Sequence, residues 1–410
     1  MLFSPSMSAP ATASATVTPI LDRQSPMPAP VKAAGGAALA TFIWFALAFG
    51  ATILFSSWHS PLLSLIARHT RVDVDRFLVG GSLLPLLVLI PLAILATVYC
   101  AVLIHELGHV LGGVMVGFRF NSLRVSRLQI DRPFKLSLYR GKSAGAGGWA
   151  RMFPTKTDHL AWRALVMIFA GPAANLLTAS VLLLFPAGGP LLVWFFVASL
   201  IMGLINLLPF RSGAYHTDGS RILMLLMSRK RGERWVAMLK LSAELREGVM
   251  PEAMSPKYLA KAVALRDKSP DTVTAHVLAY STAFHQHKDD EAAAMLEICL
   301  QYASYTSPLV RSSLMSDAAV FQARRRRNLV LAQEWLDATP ESSSGEVPWL
   351  KTRAEAAILQ TQGNIRAALE KLDKAEKMMR ASTNQARREM SLRFLERWKG
   401  ELKKELATPA

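Results

Sequence analysis

Cysteine is scarce in this chain: Cys100 lies in an apolar run and Cys299 in a charged, helical region. Thiols in such different surroundings do not meet, which excludes a disulfide-stapled scaffold and predicts a reducing environment for the soluble part. Acidic residues are also few, 30 against 47 basic ones, leaving a formal net charge of +17. That balance favours nucleic acid or an anionic membrane surface as partner. No nucleic-acid motif is present, and Lys and Arg accumulate on the cytoplasmic side of membrane proteins. No nucleic-acid partner is therefore expected. Residues 1–36 are short of charge altogether and rich in Ala, Pro, Ser and Thr, with Arg23 their only arginine. This composition predicts a disordered N-terminal tail. It argues against a transit peptide, and the first apolar run starts too far in for a cleaved signal peptide.

What is abundant is apolar sequence. Hydrophobic residues make up 51% of the 410, concentrated in the first half, whereas charge is concentrated in the second. The asymmetry predicts a membrane portion followed by a water-soluble one. Four apolar segments are candidate spans: Ala37–Trp58, Ser82–Val116, Leu160–Phe185 and Pro190–Pro209. The second is long for one crossing and contains Pro85 and Pro91, which predicts a kink or tilt. Between the second and third spans the stretch 117–159 is rich in Lys and Arg, from Arg119 to Lys156. The positive-inside rule makes it cytoplasmic, and four spans then place both termini there too. The same stretch alternates apolar and polar residues at Leu123, Val125, Leu128, Ile130, Leu136 and Leu138, a period of two that predicts short strands, in a short β-hairpin or a small sheet.

After Ser228 the chain reads as soluble and helical. Ala279–Ala303, Ala318–Ala338 and Ala356–Met379 resemble one another, each with a polar turn near Asp289, Asn328 or Asn364. The 36-residue spacing from Asn328 to Asn364 is close to a tetratricopeptide-type period; a plain helical bundle accounts for the pattern equally well. Asn384–Leu406 is highly charged and suits a polar capping helix. The expected organisation is thus a tail over 1–36, a membrane domain over 37–228 and a helical, tetratricopeptide-like domain over 229–410.

Chemistry enters in the second apolar segment, at His105-Glu106-Leu107-Gly108-His109. Positions four apart share a helix face, so both imidazoles can hold one zinc ion, with Glu106 beside them to take a proton from water on the metal. Ionisable groups at membrane depth cost about 2–3 kcal/mol each on insertion scales and persist where they pair or bind metal. A catalytic zinc needs a third protein ligand and one open position. Asp218, after the short loop that follows the fourth segment, is the preferred third ligand. His216 is the rival, and a plain helix N-cap is the other role open to Asp218.

These motifs resemble those of the site-2 protease family of intramembrane metalloproteases, peptidase family M50. The matching residues are His105-Glu106-Leu107-Gly108-His109, then Gly171-Pro172-Ala173-Ala174-Asn175, then Asn206-Leu207-Leu208-Pro209 leading to Asp218-Gly219. The stretch Gly147-Gly148-Trp149-Ala150-Arg151-Met152 is similar to the glycine-aromatic-basic stretch before the family's third span. One departure is the loop: eight residues lie between Pro209 and Asp218, where much of the family has four. The resemblance covers residues 82–226. It implies a Zn2+ endopeptidase that cuts membrane-embedded protein substrates, with His105, His109 and Asp218 as ligands and Glu106 as general base. Asn175 would steady the substrate or the oxyanion; the alternative is that Gly171-Pro172 and Asn175 serve helix packing, the small residue allowing close approach and the Asn bonding to a neighbour. The alternating stretch Leu123–Leu138 offers an edge on which an unwound substrate could pair. A bacterial cytoplasmic membrane is the expected home, with a cytoplasmic protein partner for the helical domain. The alternatives are a membrane-anchored scaffold without proteolytic activity, which leaves Glu106 between two histidines unexplained, and a zinc carrier, which would show acidic residues and histidines along several spans.

Overall fold

The computed structural model describes residues 19–22, 84–138, 147–184, 189–212, 215–339, 349–381 and 385–407. The expected first span, 37–58, lies outside the described residues, as does most of the expected tail.

Three apolar helices follow one another: α1 (Leu84–Met115), α2 (Leu160–Leu182) and α3 (Gly189–Leu207). Within them Pro91–Met115 and Leu160–Leu182 are long and apolar enough to cross a membrane, whereas the apolar part of α3, Leu191–Leu207, is shorter. With 32 residues, α1 is about 48 Å long, more than the roughly 30 Å of a hydrocarbon core. Leu111 and Val114 on α1 and Leu177 on α2 are exposed, and in water such faces would be a liability. Against lipid they are the natural outer surface. Trp162 stands exposed at the head of α2, where a membrane interface favours an aromatic ring.

The helices approach closely because the contact is built of small residues. A Cβ on Gly108 would lie 2.5 Å from the Ala170 carbonyl oxygen and 2.7 Å from Ala174 Cβ, and one on Gly112 would lie 2.3 Å from Ala170 Cβ. Glycines four apart on α1 thus receive alanines four apart on α2, the small-residue packing that replaces hydrophobic burial inside a bilayer. At the end of α1, buried Arg163 of α2 donates to the carbonyls of Val116, Gly117 and Lys156, so one guanidinium closes the helix terminus.

Between α1 and α2 the chain forms an antiparallel sheet of four strands, the small sheet of the two arrangements expected there. They are β1 (Phe118–Val125), β2 (Leu128–Asp131), β3 (Lys135–Leu138) and β4 (Gly148–Pro154), in the order β3-β2-β1-β4. The registers Leu123↔Ile130 and Ile130↔Leu136 put the alternating leucines and isoleucine on one line. The fourth strand is hard to read from sequence because Gly147 and Gly148 look like loop residues, although Trp149 to Met152 alternate correctly.

A two-residue hairpin, β5 (Arg211–Ser212) and β6 (Tyr215–His216), leads into α4 (Asp218–Met227) and α5 (Arg229–Glu247). Trp235, Val236 and Leu239 of α5 pack on a core made of Phe118, Met152, Leu160 and Ala164, so α5 is seated on the sheet and the head of α2.

The remaining helices are α6 (Pro256–Val263) and three antiparallel pairs. These are α7 (Pro270–His285) with α8 (Asp289–Gln301), α9 (Pro308–Arg324) with α10 (Leu329–Ala338), and α11 (Trp349–Thr361) with α12 (Ile365–Ala381); α13 (Gln385–Ala407) closes the array. The turns of the three pairs share one geometry. His287, Arg327 and Gly363 each take a positive φ, and each is followed by the residue that precedes the next helix, Lys288, Asn328 or Asn364. The polar turns singled out in the sequence therefore fall between paired helices. The charged final helix is more than a polar cap: Leu395, Trp398 and Leu402 are buried in the domain core.

Candidate metal and active site

The helix period does the first half of the work. His105 and His109, one turn apart on α1, set their rings edge to face with centroids 4.8 Å apart and their Nε2 atoms 3.2 Å apart. The second half comes from across the chain. Asp218 Oδ2 lies 3.0 Å from His105 Nε2 and 3.4 Å from His109 Nε2. Among the described residues these three form the group of His, Cys, Asp or Glu side chains able to share a metal ion.

Their spacing permits a direct test of fit. Four ligands at about 2.0–2.1 Å from a zinc ion, in a tetrahedron, stand about 3.3–3.4 Å from one another. The three separations here, 3.0, 3.2 and 3.4 Å, are close to the edges of such a tetrahedron. His109 supplies a second sign. Its Nδ1 lies 2.9 Å from the Met167 carbonyl, which only accepts; Nδ1 therefore carries a proton, and in the neutral ring the lone pair is on Nε2. Two nitrogens and one carboxylate oxygen, with a fourth direction left over, are the donor set of a catalytic zinc site.

Asp218 is free for this duty because the cap is provided by its neighbour. Thr217 is the N-cap of α4, its hydroxyl accepting from Ser220 N–H at 3.2 Å, and Asp218 is the first helical residue. The cap role considered for Asp218 from sequence thus belongs to Thr217. The eight-residue loop is absorbed by the β5–β6 hairpin, whose ladder pairs Arg211 with His216. The Thr217 N–H then donates to the Phe210 carbonyl and the Thr217 hydroxyl to the Leu208 carbonyl. Gly219 lets α4 begin hard against α3: a Cβ there would sit 1.9 Å from the Leu207 carbonyl oxygen. His216 is not brought to the cluster; its Nδ1 meets Ser220 Oγ at 2.9 Å.

Glu106 is buried beside the two histidines and lies against β4. A Cβ on Gly148 would be 2.7 Å from both Cγ and Oε1 of Glu106, so the strand can pass the carboxylate only with glycine at this point. Asn175, fully buried on α2, donates Nδ2 to the Ala101 carbonyl, one turn before His105 on α1. Sequence reasoning places Gly148 in a motif without giving it a role, and gives Gly171 only that of a small residue allowing close helix packing. Signals for both are present, since each glycine stands where its strand or helix would gain from a side chain.

Residues 93–188 match the family model of Peptidase family M50. Over that segment the chain is similar to peptidase family M50, a family of membrane metallopeptidases. It contains His105, Glu106, His109 and Asn175 and ends before Asp218. Comparisons with curated proteins and with solved structures gave no match.

Proposed function

We propose that this protein is an intramembrane zinc endopeptidase acting on membrane-embedded protein substrates. The observation that carries the reading is the convergence of His105, His109 and Asp218, with Glu106 held beside them by strand β4. His105, His109 and Asp218 would hold the ion, and a zinc ion so bound supplies Lewis acidity that brings the pKa of a water to near 7.

The protein's own groups do the rest. Glu106 takes the proton of the attacking water and returns it to the leaving amine. Met167, through its carbonyl, keeps the His109 ring in the tautomer that leaves Nε2 available. Asn175 ties α2 to α1 through the Ala101 carbonyl, so its role in this reading is to position the helix that carries His105. A helical substrate hides its carbonyls in its own hydrogen bonds and must extend to be cut. The outer edge of β4 runs past Glu106 and is where an extended substrate would pair, in preference to β3 at the opposite edge.

Four crossings with both termini in the cytoplasm suit this reading. What supports it is the docking of Ile20–Asp22 on the helical domain, a contact that an even number of crossings between the two would allow. A bacterial cytoplasmic membrane remains the proposed home.

The test is Glu106→Gln in a cleavage assay on a membrane-embedded substrate, with zinc measured in parallel. Retained zinc with cleavage reduced by about 10²-fold or more supports the reading. Undiminished cleavage rejects Glu106 as the base.

A further inference from the structure

Far from the metal cluster, residues 19–22 fill a site on the helical domain. Leu21 is 2% exposed and belongs to the core of that domain, although about 300 residues of sequence separate it from some of its neighbours. Glu297 of α8 receives two backbone donors on one carboxylate, Ile20 N–H at 3.0 Å and Leu21 N–H at 2.9 Å. The Leu21 carbonyl receives two buried donors, Gln322 Nε2 at 2.8 Å and Trp335 Nε1 at 3.2 Å. Gln322 also donates to Asp22 Oδ1 at 3.1 Å. Pro19 and Asp22, at either end, are exposed.

The arrangement has the make-up of a peptide-recognition site. Two N–H groups and one C=O of the occupant are satisfied by side chains of the first two helix pairs, so the backbone is read without regard to sequence. One aliphatic side chain is swallowed, and one carboxylate beyond it is recognised. Gln322 and Trp335 are 1% and 4% exposed. An indole N–H and an amide N–H buried at that depth each cost about 1–3 kcal/mol when left unpaired. The site therefore favours an occupant that brings a carbonyl to that point.

We infer that the helical domain carries a peptide-binding site, that Ile20-Leu21-Asp22 is its tethered resident, and that a partner protein presenting an aliphatic-leucine-acidic segment exchanges with it. The resident is three residues long, ends in exposed flanks and is held by contacts that any such segment can make. Tethering gives it an effective concentration of up to about 1 mM, which a partner in trans must overcome. The inference is independent of the metal site and stands or falls apart from it.

The test uses the full chain in detergent and a fluorescent peptide of residues 17–24, followed by anisotropy. Two variants vacate the site: Leu21→Asp, and deletion of residues 1–22. Both should bind the peptide at least about tenfold more tightly than the wild type, where the resident competes. Adding Glu297→Gln to either should weaken binding again by about tenfold, and a peptide carrying Asp in place of Leu21 should not bind. Equal binding by wild-type and vacated protein, or binding by neither, overturns the inference. So does loss of folding in both vacated variants, because the segment would then be a fixed part of the domain.

Discussion

A side chain on Gly171 of α2 would collide with the imidazole of His109 on α1: the nearest ring atoms lie 2.4 Å from where its Cβ would be. The glycine therefore sets the place of a metal ligand as well as the distance between two helices. Gly171→Ala must push the ring aside or part the helices, and the tetrahedral spacing is lost in either case. Zinc affinity should fall by about 10–100-fold, the range found when a ligand's supporting contacts are removed. Competition with a chelator of known affinity measures this. Unchanged affinity would show that the ring has room which this packing denies it.

The two edges of the sheet should behave differently. β4 passes Glu106, whereas β3 is remote in the strand order and exposes Leu136 and Leu138. Proline at Trp149 or Ala150 should slow cleavage by roughly tenfold or more while zinc stays bound, since small misplacements of a substrate are costly. Proline at Leu136 should leave turnover within about twofold. The opposite ranking would move the substrate to β3.

The helical domain should weaken towards acid in two steps. Burial, together with Arg397, Arg324 and Arg325, pushes the His285 imidazole down to about 4 against the raising influence of Glu252. Between its ordinary value near 6.5 and 4, the unfolded chain takes up a proton that the folded chain refuses, so stability falls as pH falls through that window. Burial opposes ionisation of Asp267, but hydrogen bonds from Arg234, Ser269 and Thr272 outweigh it and hold its carboxyl well below the usual carboxylate range. Its contribution is complete above the ordinary carboxylate pKa and is lost as pH falls below it. Melting curves from about pH 8 to about pH 3 should show both losses, and His285→Gln should flatten the first. Asp267→Asn leaves the buried Arg234 guanidinium short of its main carboxylate partner and should cost about 3 kcal/mol near neutral pH. A melting temperature that stays constant down to about pH 4 would contradict the assignment for His285.

The sequence made α1, α2 and α3 legible to within a few residues, because a long apolar run bounded by charge has little choice but to form a helix buried in lipid or in a core. The histidine pair was legible against the same background: two imidazoles and a carboxylate stand out among Leu, Val and Ile. The place of Asp218 was harder to read, since a two-strand turn and a threonine cap decide where the loop returns, and both depend on contacts with Leu208 and Phe210. The fourth strand was concealed by its glycines, whose purpose shows only when Glu106 is seen beside Gly148. Docking of Leu21 was not legible at all. An Ile-Leu pair in a tail rich in Ala, Pro, Ser and Thr gives no sign of the distant glutamate, glutamine and tryptophan that receive it.

Metal stoichiometry of the purified protein tests the central claim most directly. Wild-type protein and His216→Ala should each carry one zinc ion per chain, whereas Asp218→Ala and His105→Ala should carry essentially none under the same dialysis. Zinc absent from the wild type, or retained in full by Asp218→Ala, would contradict the account.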